Sequence, residues 1–245
     1  MNKIIRGRNN NTKKVKLLFI SQVVLGVMPV LLLIFFVWKR LYTTPIVAAV
    51  FIILIFLCNV AYAFLARQYA VLNSGVKGER RLFRTVKKLH GTNIVFHNLP
   101  VRYKRGRSEL DMLIVCHSGV LIVEVKNHSG TISGSWRDEK WTQRKHYRDG
   151  KVTETLMDNP IKQMRRQRDI VKSILAAAGE DVWIDSVLYF SSPNARLKLS
   201  LRENDYVCCE SQELLQFLRG YDRGEVLSKT RMERIAQILR DSSGV

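Results

Sequence analysis

Acidic residues are absent from the first quarter of this 245-residue chain: residues 1–66 carry eight Lys or Arg and no Asp or Glu. The remaining residues hold 32 basic and 21 acidic side chains, a net charge of +11. A basic N-terminal tail therefore does not account for the total of +19, because the rest of the chain is basic by itself. Such a field favours polyanionic partners, either nucleic acid or anionic lipid.

Cysteine is scarce, and its spacing excludes two classes of small-domain scaffold. The four residues are Cys58, Cys116, Cys208 and Cys209. They form no C-x-x-C pair, and none stands with histidines at the spacing of zinc ligands. The sequence therefore predicts neither a disulfide framework nor a structural zinc site, and it is typical of a reducing compartment.

Charged residues are missing from two long segments, 17–38 and 45–66, which are 22 residues each. As a helix, either segment is long enough to cross the roughly 30 Å hydrocarbon core of a bilayer. A signal peptide is the alternative for the first segment, but the apolar run is too long and a second one follows directly. No Asp, Glu, Lys, Arg or His lies within either segment, so nothing in them indicates a transporter.

The connection between the two segments spans only residues 39–44, which predicts an antiparallel hairpin of helices. Six Lys or Arg precede the first segment, and four more follow the second within residues 67–81. The positive-inside rule therefore places both termini in the cytoplasm, although Lys39 and Arg40 in the outer loop are a mild opposing signal. We expect a multi-pass protein of the cell membrane whose remaining chain is cytoplasmic.

Five segments are predicted along the chain. They are a disordered basic tail (1–16), the transmembrane hairpin (17–66), a linker (67–74), a core (75–178), and C-terminal strands and helices that complete the domain (179–245). Within the core, apolar periodicity predicts a helix over 76–90 and a strand over 93–97. Asp149-Gly150 predicts a hairpin turn, and Asn159-Pro160 predicts the start of a helix that has Gln163 one turn in.

Residues 108–127 predict a β-hairpin, with apolar runs over 110–116 and 120–125 joined by His117-Ser118-Gly119. If the turn centres on Ser118-Gly119, Asp111 lies opposite Lys126 and Leu113 lies opposite Glu124. Because side chains alternate faces along a strand, Asp111, Glu124 and Lys126 then project from one side. The two carboxylates become diagonal neighbours, roughly 7 Å or less apart, and could share one metal ion.

Two acids and a lysine within otherwise apolar strands are costly to bury unless they are paired or bind a metal. Their spacing, D-x12-E-x-K, is similar to the signature of the PD-(D/E)XK nuclease superfamily. The alternative is a half-buried hairpin whose polar residues face water. Glu79 lies in the first turn of the helix predicted over 76–90. The helix dipole stabilises a carboxylate there, so this position has an explanation that requires no role in a site.

Basic side chains concentrate in three places beyond the apolar segments: residues 101–108, residues 137–148 and the helix after Pro160. The middle group is interleaved with Trp136, Trp141 and Tyr147, a mixture that suits a nucleic-acid surface. For residues 101–108 the alternative is a solvated hairpin loop. For the aromatic residues of the middle group the alternative is packing in the core. The expected nucleic-acid contacts are Arg102, Lys104, Arg105, Arg107, Arg144, Lys145, Arg165 and Arg166.

About 100 residues, from Gly75 to Leu175, resemble the NERD (nuclease-related) domain, a branch of the same superfamily. The matching residues, in chain order, are Gly75-Val76-Lys77-Gly78-Glu79, Glu109-Leu110-Asp111, Gly119 to Asn127, Ser129-Gly130-Thr131-Ile132, Gly134-Ser135, Trp141, Asn159-Pro160 and Gln163. The resemblance covers neither the apolar hairpin nor, clearly, residues 180–245.

This resemblance implies an α/β fold with a restriction-endonuclease-like core, in which helices flank a central mixed sheet. It also implies hydrolysis of nucleic-acid phosphodiester bonds with Mg²⁺ or Mn²⁺, DNA being the preferred expectation over RNA. Asp111 and Glu124 are then metal ligands, and Lys126 is the catalytic lysine. Glu79, as a further ligand, and Gln163 are accessory residues of the site.

Two other functions are compatible with the sequence. One is a module that binds nucleic acid or a protein partner at the membrane without cleaving nucleic acid. A site that had lost its activity, however, would have no physical reason to keep buried charges. The other is a structural membrane protein whose basic surface binds anionic lipid. The sequence leaves the oligomeric state open.

Overall fold

The computed structural model describes residues 2–6, 10–41, 44–224 and 226–243. The chain divides into two compact units. One comprises Met1–Arg8 and Lys77–Val245, and the other is Asn9–Val76.

The smaller unit is built from two long apolar helices, α1 (Asn10–Trp38) and α2 (Pro45–Val86), of which α2 continues into the larger unit. Both are long and apolar enough to cross a membrane, and their most apolar stretches are not buried inside the protein. Phe36 contacts Phe51, with ring centroids 5.0 Å apart, and Phe19 contacts Tyr69 at 6.0 Å. These pairs join the end of one helix to the start of the other, so the helices are antiparallel, as predicted.

The helix boundaries differ from the prediction. Residues 67–74, expected to be a linker, are helical, and the helix expected over 76–90 is the last part of α2. Gly75 and Gly78 therefore lie inside a helix. Gly78 is close-packed, because an added Cβ would lie 3.0 Å from Ser191 Oγ and 3.1 Å from Asn127 Cβ.

A six-stranded mixed sheet organises the larger unit, in the order β1-β2-β3-β4-β8-β10. The strands are β1 (Lys3–Arg6), β2 (Ile94–Tyr103), β3 (Gly106–Cys116), β4 (Gly119–Lys126), β8 (Ile184–Phe190) and β10 (Tyr206–Cys208). β2, β3 and β4 are antiparallel neighbours, and β8 lies parallel to β4.

A second sheet of four strands has the order β7-β6-β5-β9. Its strands are β5 (Gly130–Ser135), β6 (Lys140–His146), β7 (Val152–Asp158) and β9 (Ala195–Ser200). β6 and β7 form the predicted hairpin, with Gly150 at φ +80° in its turn. β9 was not predicted, although Ala195, Leu197 and Leu199 alternate with more exposed polar residues along it.

Helices cover both faces of the six-stranded sheet, which confirms the predicted mixed α/β class. They are the last turns of α2, α3 (Pro160–Ala177), α4 (Ser211–Arg219) and α5 (Lys229–Ser243). On one face, Leu113 and Ile122 pack with Ile174 of α3 and Ile235 of α5. On the other face, Met112 and Val123 pack with residues of α2 and α4.

The central hairpin has a different register from the predicted one. Met112 pairs with Val123 and Cys116 with Gly119, so the turn is His117-Ser118 and the register is two residues away from expectation. Gly119 opens β4 at φ +134°, where an added Cβ would lie 2.7 Å from Trp183 O. The predicted pairs Asp111–Lys126 and Leu113–Glu124 are therefore wrong. Because the shift is even, each residue keeps its predicted face.

The N-terminal residues also differ from the predicted disordered tail, because Lys3–Arg6 form an edge strand parallel to β2. Asn2 reinforces the strand: its Nδ2 donates to Leu89 O at 2.8 Å, and its Oδ1 accepts from Asn93 Nδ2 at 3.0 Å. Ile5 packs against the core cluster, whereas Ile4 is exposed. Composition alone misled the prediction, since β-branched residues at these two positions suit a strand.

We expect Ile5→Ala to reduce the free energy of unfolding by about 1–2 kcal/mol, since a partly buried apolar side chain is lost. The control Ile4→Ala should change it by about 0.5 kcal/mol or less, because that side chain faces solvent. Denaturant unfolding of the full chain in detergent, followed by tryptophan fluorescence, measures both. Equal effects of the two substitutions would contradict the role of β1.

Candidate active site

The pairing of β3 with β4 stops where the acidic residues begin. The last paired residues are Met112 and Val123, although both strands continue beyond them. Next to this point, Asp111 Oδ2 accepts a hydrogen bond from Val125 N at 2.8 Å. The Asp111 carboxylate thus takes a backbone donor that a regular ladder would use, and this holds it beside the strand that carries Glu124 and Lys126.

Glu124 is the most deeply buried acid of the cluster, with 2% of its surface exposed. Its Oε1 accepts from Lys126 Nζ at 2.6 Å and from Gln163 Nε2 at 2.7 Å. Its Oε2 accepts from Gln167 Nε2 at 2.8 Å. A buried carboxylate is costly without donors, and this one has an ammonium group and two amides.

Lys126 and Gln163 are bound to each other as well as to Glu124. Lys126 Nζ donates to Gln163 Oε1 at 2.9 Å, while Gln163 Nε2 donates to Glu124. The two contacts use opposite ends of one amide, so they fix its orientation. Lys126 is half-buried, which leaves its ammonium group next to the carboxylate and within reach of solvent.

The start of α3 positions both glutamines. Asn159 caps the helix, with its Oδ1 accepting from Ile161 N at 2.9 Å, and Pro160 occupies the first turn. Asn159 Nδ2 donates to Ser135 O at 3.1 Å and Asp138 O at 2.7 Å, which ties the helix to the end of β5 and the turn after it. The Asn-Pro pair thereby sets where the first turns of α3 meet β4.

Electrostatic repulsion marks the acidic residues as a group. Burial raises the pKa of Asp111 well above its usual value, and the Glu124 charge raises it further, against the opposing effects of Val125 N–H and Lys126. The Glu79 charge adds a smaller upward shift in the pKa of Asp111. Burial, followed by the charge of Glu79, also raises the pKa of Glu109.

Glu79 reaches this cluster from α2. Its Oε2 accepts from Asn98 Nδ2 at 3.0 Å and lies 4.0 Å from His97 Nε2. Asn98 has φ +54°, and it lies opposite Asp111 where the pairing of β2 with β3 is interrupted. Because Glu79 is far inside α2, a helix N-terminal dipole does not explain its position.

The residues present fit a water-rich divalent cation site. Among the described residues, no three His, Cys, Asp or Glu side chains are placed to hold one ion together. Mg²⁺, however, usually keeps several waters and takes only one or two protein carboxylates plus phosphate oxygens. Asp111 and Glu124 are two such carboxylates, and their mutual repulsion is what a cation would relieve.

The structure separates the predicted nucleic-acid contacts into two groups. Four of them line one cleft of about 540 Å³ between the β2–β3 turn and α3, together with Tyr103 and Lys162. These four are Lys104, Arg105, Arg165 and Arg166. Arg102 on β2 lies opposite Arg107 on β3, next to the same turn. Arg144 and Lys145, by contrast, lie on β6.

Several of these side chains already have partners. Arg165 Nη2 contacts both carboxylate oxygens of Asp205, at 3.0 and 2.7 Å. Arg144 is 3.5 Å from Glu154, and Arg166 donates to the Arg107 carbonyl. These three guanidinium groups are therefore less available to a phosphate than Lys104 and Arg105.

Sequence reasoning missed two side chains that contact the acids, Gln167 and Asn98. Gln167 follows Gln163 by four residues, a spacing that places both on one helix face, so a signal was present. Asn98 had none, because its contact with Glu79 joins a β-strand to a helix 19 residues away.

Comparison with known proteins identifies part of the chain. The family model described as nuclease-related domain (NERD) matches residues 74–191. These residues are a nuclease-related domain. The NERD domain includes all five predicted site residues, Glu79, Asp111, Glu124, Lys126 and Gln163, and it confirms the resemblance seen in the sequence.

A curated relative covers a smaller region. An uncharacterized protein of Bacillus anthracis is 35% identical over 71 residues, which is 28% of this chain. The match covers 34% of that protein, so the chain spans about a third of the relative's length. No solved structure matches the chain significantly.

Without metal, we expect Asp111→Asn to stabilise the protein near neutral pH, because it removes the repulsion with Glu124 and keeps an acceptor for Val125 N–H. A raised pKa means that wild type loses stability as the pH rises above the ordinary aspartate value of 3.8. The variant should lack this loss, so its advantage should grow with pH. Urea unfolding with a chelator, from about pH 4 to about pH 8, measures the difference.

Asp149→Asn is the matched control, since Asp149 lies in an exposed turn and its Oδ1 accepts from Lys151 N. Its stability should follow wild type at every pH. An Asp111→Asn variant less stable than wild type in the metal-free protein at neutral pH would show that the carboxylate is held favourably and would refute the repulsion.

Proposed function

We propose that this protein is a membrane-anchored nuclease that hydrolyses nucleic-acid phosphodiester bonds with Mg²⁺ or Mn²⁺. The observation that carries the proposal is the buried contact of Glu124 with Lys126 and Gln163 inside a nuclease-related domain, beside Asp111. Asp111 and Glu124 hold the ion, with Glu79 as the third acid of the cluster.

The bound cation would lower the pKa of a water and neutralise phosphate charge. Lys126 supplies a hydrogen-bond donor that orients the attacking water and stabilises negative charge on the phosphate oxygens in the transition state. Gln163 fixes the Lys126 ammonium through its Oε1 and the Glu124 carboxylate through its Nε2. Glu79 adds negative charge on the α2 side, where it favours cation binding.

The buried charges favour an enzyme over a module that only binds. A lysine and two acids in an apolar sheet are costly, and hydrophobic replacements of similar volume are often neutral or stabilising. A module that only binds would gain nothing from keeping Glu124 at 2% exposure with three donors around it.

The basic cleft supports nucleic acid as the substrate, with DNA as the first expectation. Arg102 and Arg107 lie directly opposite each other, an arrangement of like charges that is destabilising unless an anion binds. Lys104 has φ +50°, a backbone conformation that Gly or Asn adopts at lower cost. The hairpin tip thus keeps a positive side chain at a conformational cost, which a phosphate contact would explain.

The two apolar helices support attachment to the cell membrane with both termini in the cytoplasm. β1 precedes α1 and belongs to the same sheet as β2, which follows α2. The chain therefore leaves the larger unit and returns to it, as a hairpin that crosses a bilayer twice would require. The basic residues at both ends of this hairpin favour the cytoplasmic side.

We expect the full chain in detergent to cleave DNA or RNA when Mg²⁺ or Mn²⁺ is added, and Lys126→Met to reduce the rate at least about 100-fold, as loss of one transition-state donor does. Lys198→Met, which changes an exposed lysine on β9, should cleave like wild type. Equal background cleavage by wild type and Lys126→Met would refute the proposal. Tight, salt-sensitive binding without turnover under any metal would favour the binding module instead.

We also expect the double substitution Lys104→Glu with Arg105→Glu to weaken nucleic-acid binding at least about tenfold and to reduce the slope of log K against log salt by about two. Fluorescence anisotropy with Ca²⁺ in place of Mg²⁺ measures both quantities. The control is the double substitution Lys88→Glu with Lys229→Glu, both at exposed lysines. It makes the same charge change near the ends of β2 and β3 that lie away from the cleft. If both double variants weaken binding equally, the effect comes from net charge and not from the cleft.

A further inference from the structure

Gln167 is a buried donor to Glu124 to which the proposed catalytic mechanism gives no role of its own. It lies on α3 one turn after Gln163, and none of its surface is exposed. Its Nε2 donates to Glu124 Oε2 at 2.8 Å and to the Glu109 carbonyl at 3.3 Å. Its Oε1 is buried and has no hydrogen-bond partner within the described parts of the chain.

The distribution of donors makes the two oxygens of Glu124 unequal. A carboxylate oxygen has two lone pairs. Oε1 already accepts from Lys126 and Gln163, so both of its lone pairs are used. Oε2 accepts only from Gln167 in the described structure, so one lone pair remains for a cation. The oxygen of Glu124 that can still bind a metal is therefore the one that Gln167 touches.

The unpartnered oxygen of Gln167 lies in the same planar amide as the nitrogen that contacts Glu124. Buried amide oxygens in folded proteins almost always accept a hydrogen bond from protein or water. A water bound to a cation at Glu124 Oε2 would carry protons for donation to a nearby acceptor such as Gln167 Oε1. Among the described residues of the site, the unpartnered buried acceptor thus belongs to the amide that contacts Glu124 Oε2, the oxygen at which a hydrated ion is expected.

We propose that Gln167 is a positioning residue for the divalent cation: its Nε2 fixes the metal-binding oxygen of Glu124, and its Oε1 accepts from a water of the bound ion. This inference rests on the metal site of the proposed function. The two glutamines of α3 then have different roles. Gln163 contacts Lys126 and Glu124 Oε1, whereas Gln167 contacts Glu124 Oε2.

The test is Mn²⁺ binding to the full chain in detergent without nucleic acid, measured by calorimetry. Gln167→Met keeps the volume and removes both polar atoms, and it should weaken Mn²⁺ binding about 10- to 100-fold, as loss of partners behind a metal ligand does. The matched control is Tyr189→Phe, which removes a buried hydroxyl that hydrogen-bonds Ser211 from the opposite face of the same sheet. It should leave the Mn²⁺ affinity unchanged.

A second variant separates positioning from packing. Gln167→Glu keeps an acceptor and the shape but places a charge beside Glu124, so it should lower the thermal midpoint of the metal-free protein. Saturating Mn²⁺ should then raise that midpoint by more than it does in wild type, because the added charge is neutralised.

The inference is overturned if Gln167→Met binds Mn²⁺ as tightly as wild type while its stability falls, or if wild type binds no Mn²⁺. It is also overturned if Mn²⁺ raises the midpoint of Gln167→Glu no more than that of wild type. Cleavage is not part of these measurements. A protein that binds Mn²⁺ through Gln167 but cuts no nucleic acid would refute the nuclease and leave this inference intact.

Discussion

The buried carboxylate of Glu124 is the constraint around which the larger unit is arranged. A charge with 2% exposure persists only where donors surround it, and three side chains from β4 and α3 supply them. This requirement fixes the distance between the sheet and the helix, because amide and ammonium hydrogen bonds tolerate little stretching. The helix must in turn begin at one place, which Asn159 and Pro160 determine.

The same constraint relates the second sheet to the first. Asn159 connects the start of α3 to the backbone at the end of β5, and Trp141 fills the space between them. Gly134 is required there, because an added Cβ would lie 2.2 Å from Trp141 Cδ1. Gly134 in the second sheet thus leaves room for the Trp141 ring. That ring supports α3, whose glutamines hold Glu124 of the first sheet.

Much of the site could be predicted from the sequence, because side-chain alternation depends only on parity. Asp111, Glu124 and Lys126 share a face under both the expected and the observed register, and Gln163 follows from the helix start. The register itself could not be predicted, since the contact between Gly119 and the Trp183 carbonyl that requires glycine comes from a residue far along the chain. Asn98 was missed for the same reason.

The errors at the ends of elements have a common physical origin. Composition suggested a disordered tail and a linker, yet Lys3–Arg6 are ordered by pairing with β2, and residues 67–74 continue a helix that was already formed. Local propensity cannot reveal either outcome, because tertiary pairing and helix propagation both depend on neighbours. Gln167 differs, because its spacing from Gln163 was visible and only its meaning was missed.

The short strand β1 has a consequence for how copies of the protein coexist at high concentration. Both outer borders of the six-stranded sheet are closed by brief strands, four residues in β1 and three in β10. Short borders offer little free backbone for another molecule to extend the sheet, and this is how natural sheets avoid aggregation. The segment that leads into the first apolar helix therefore also shields a sheet that would otherwise end in the ten-residue β2.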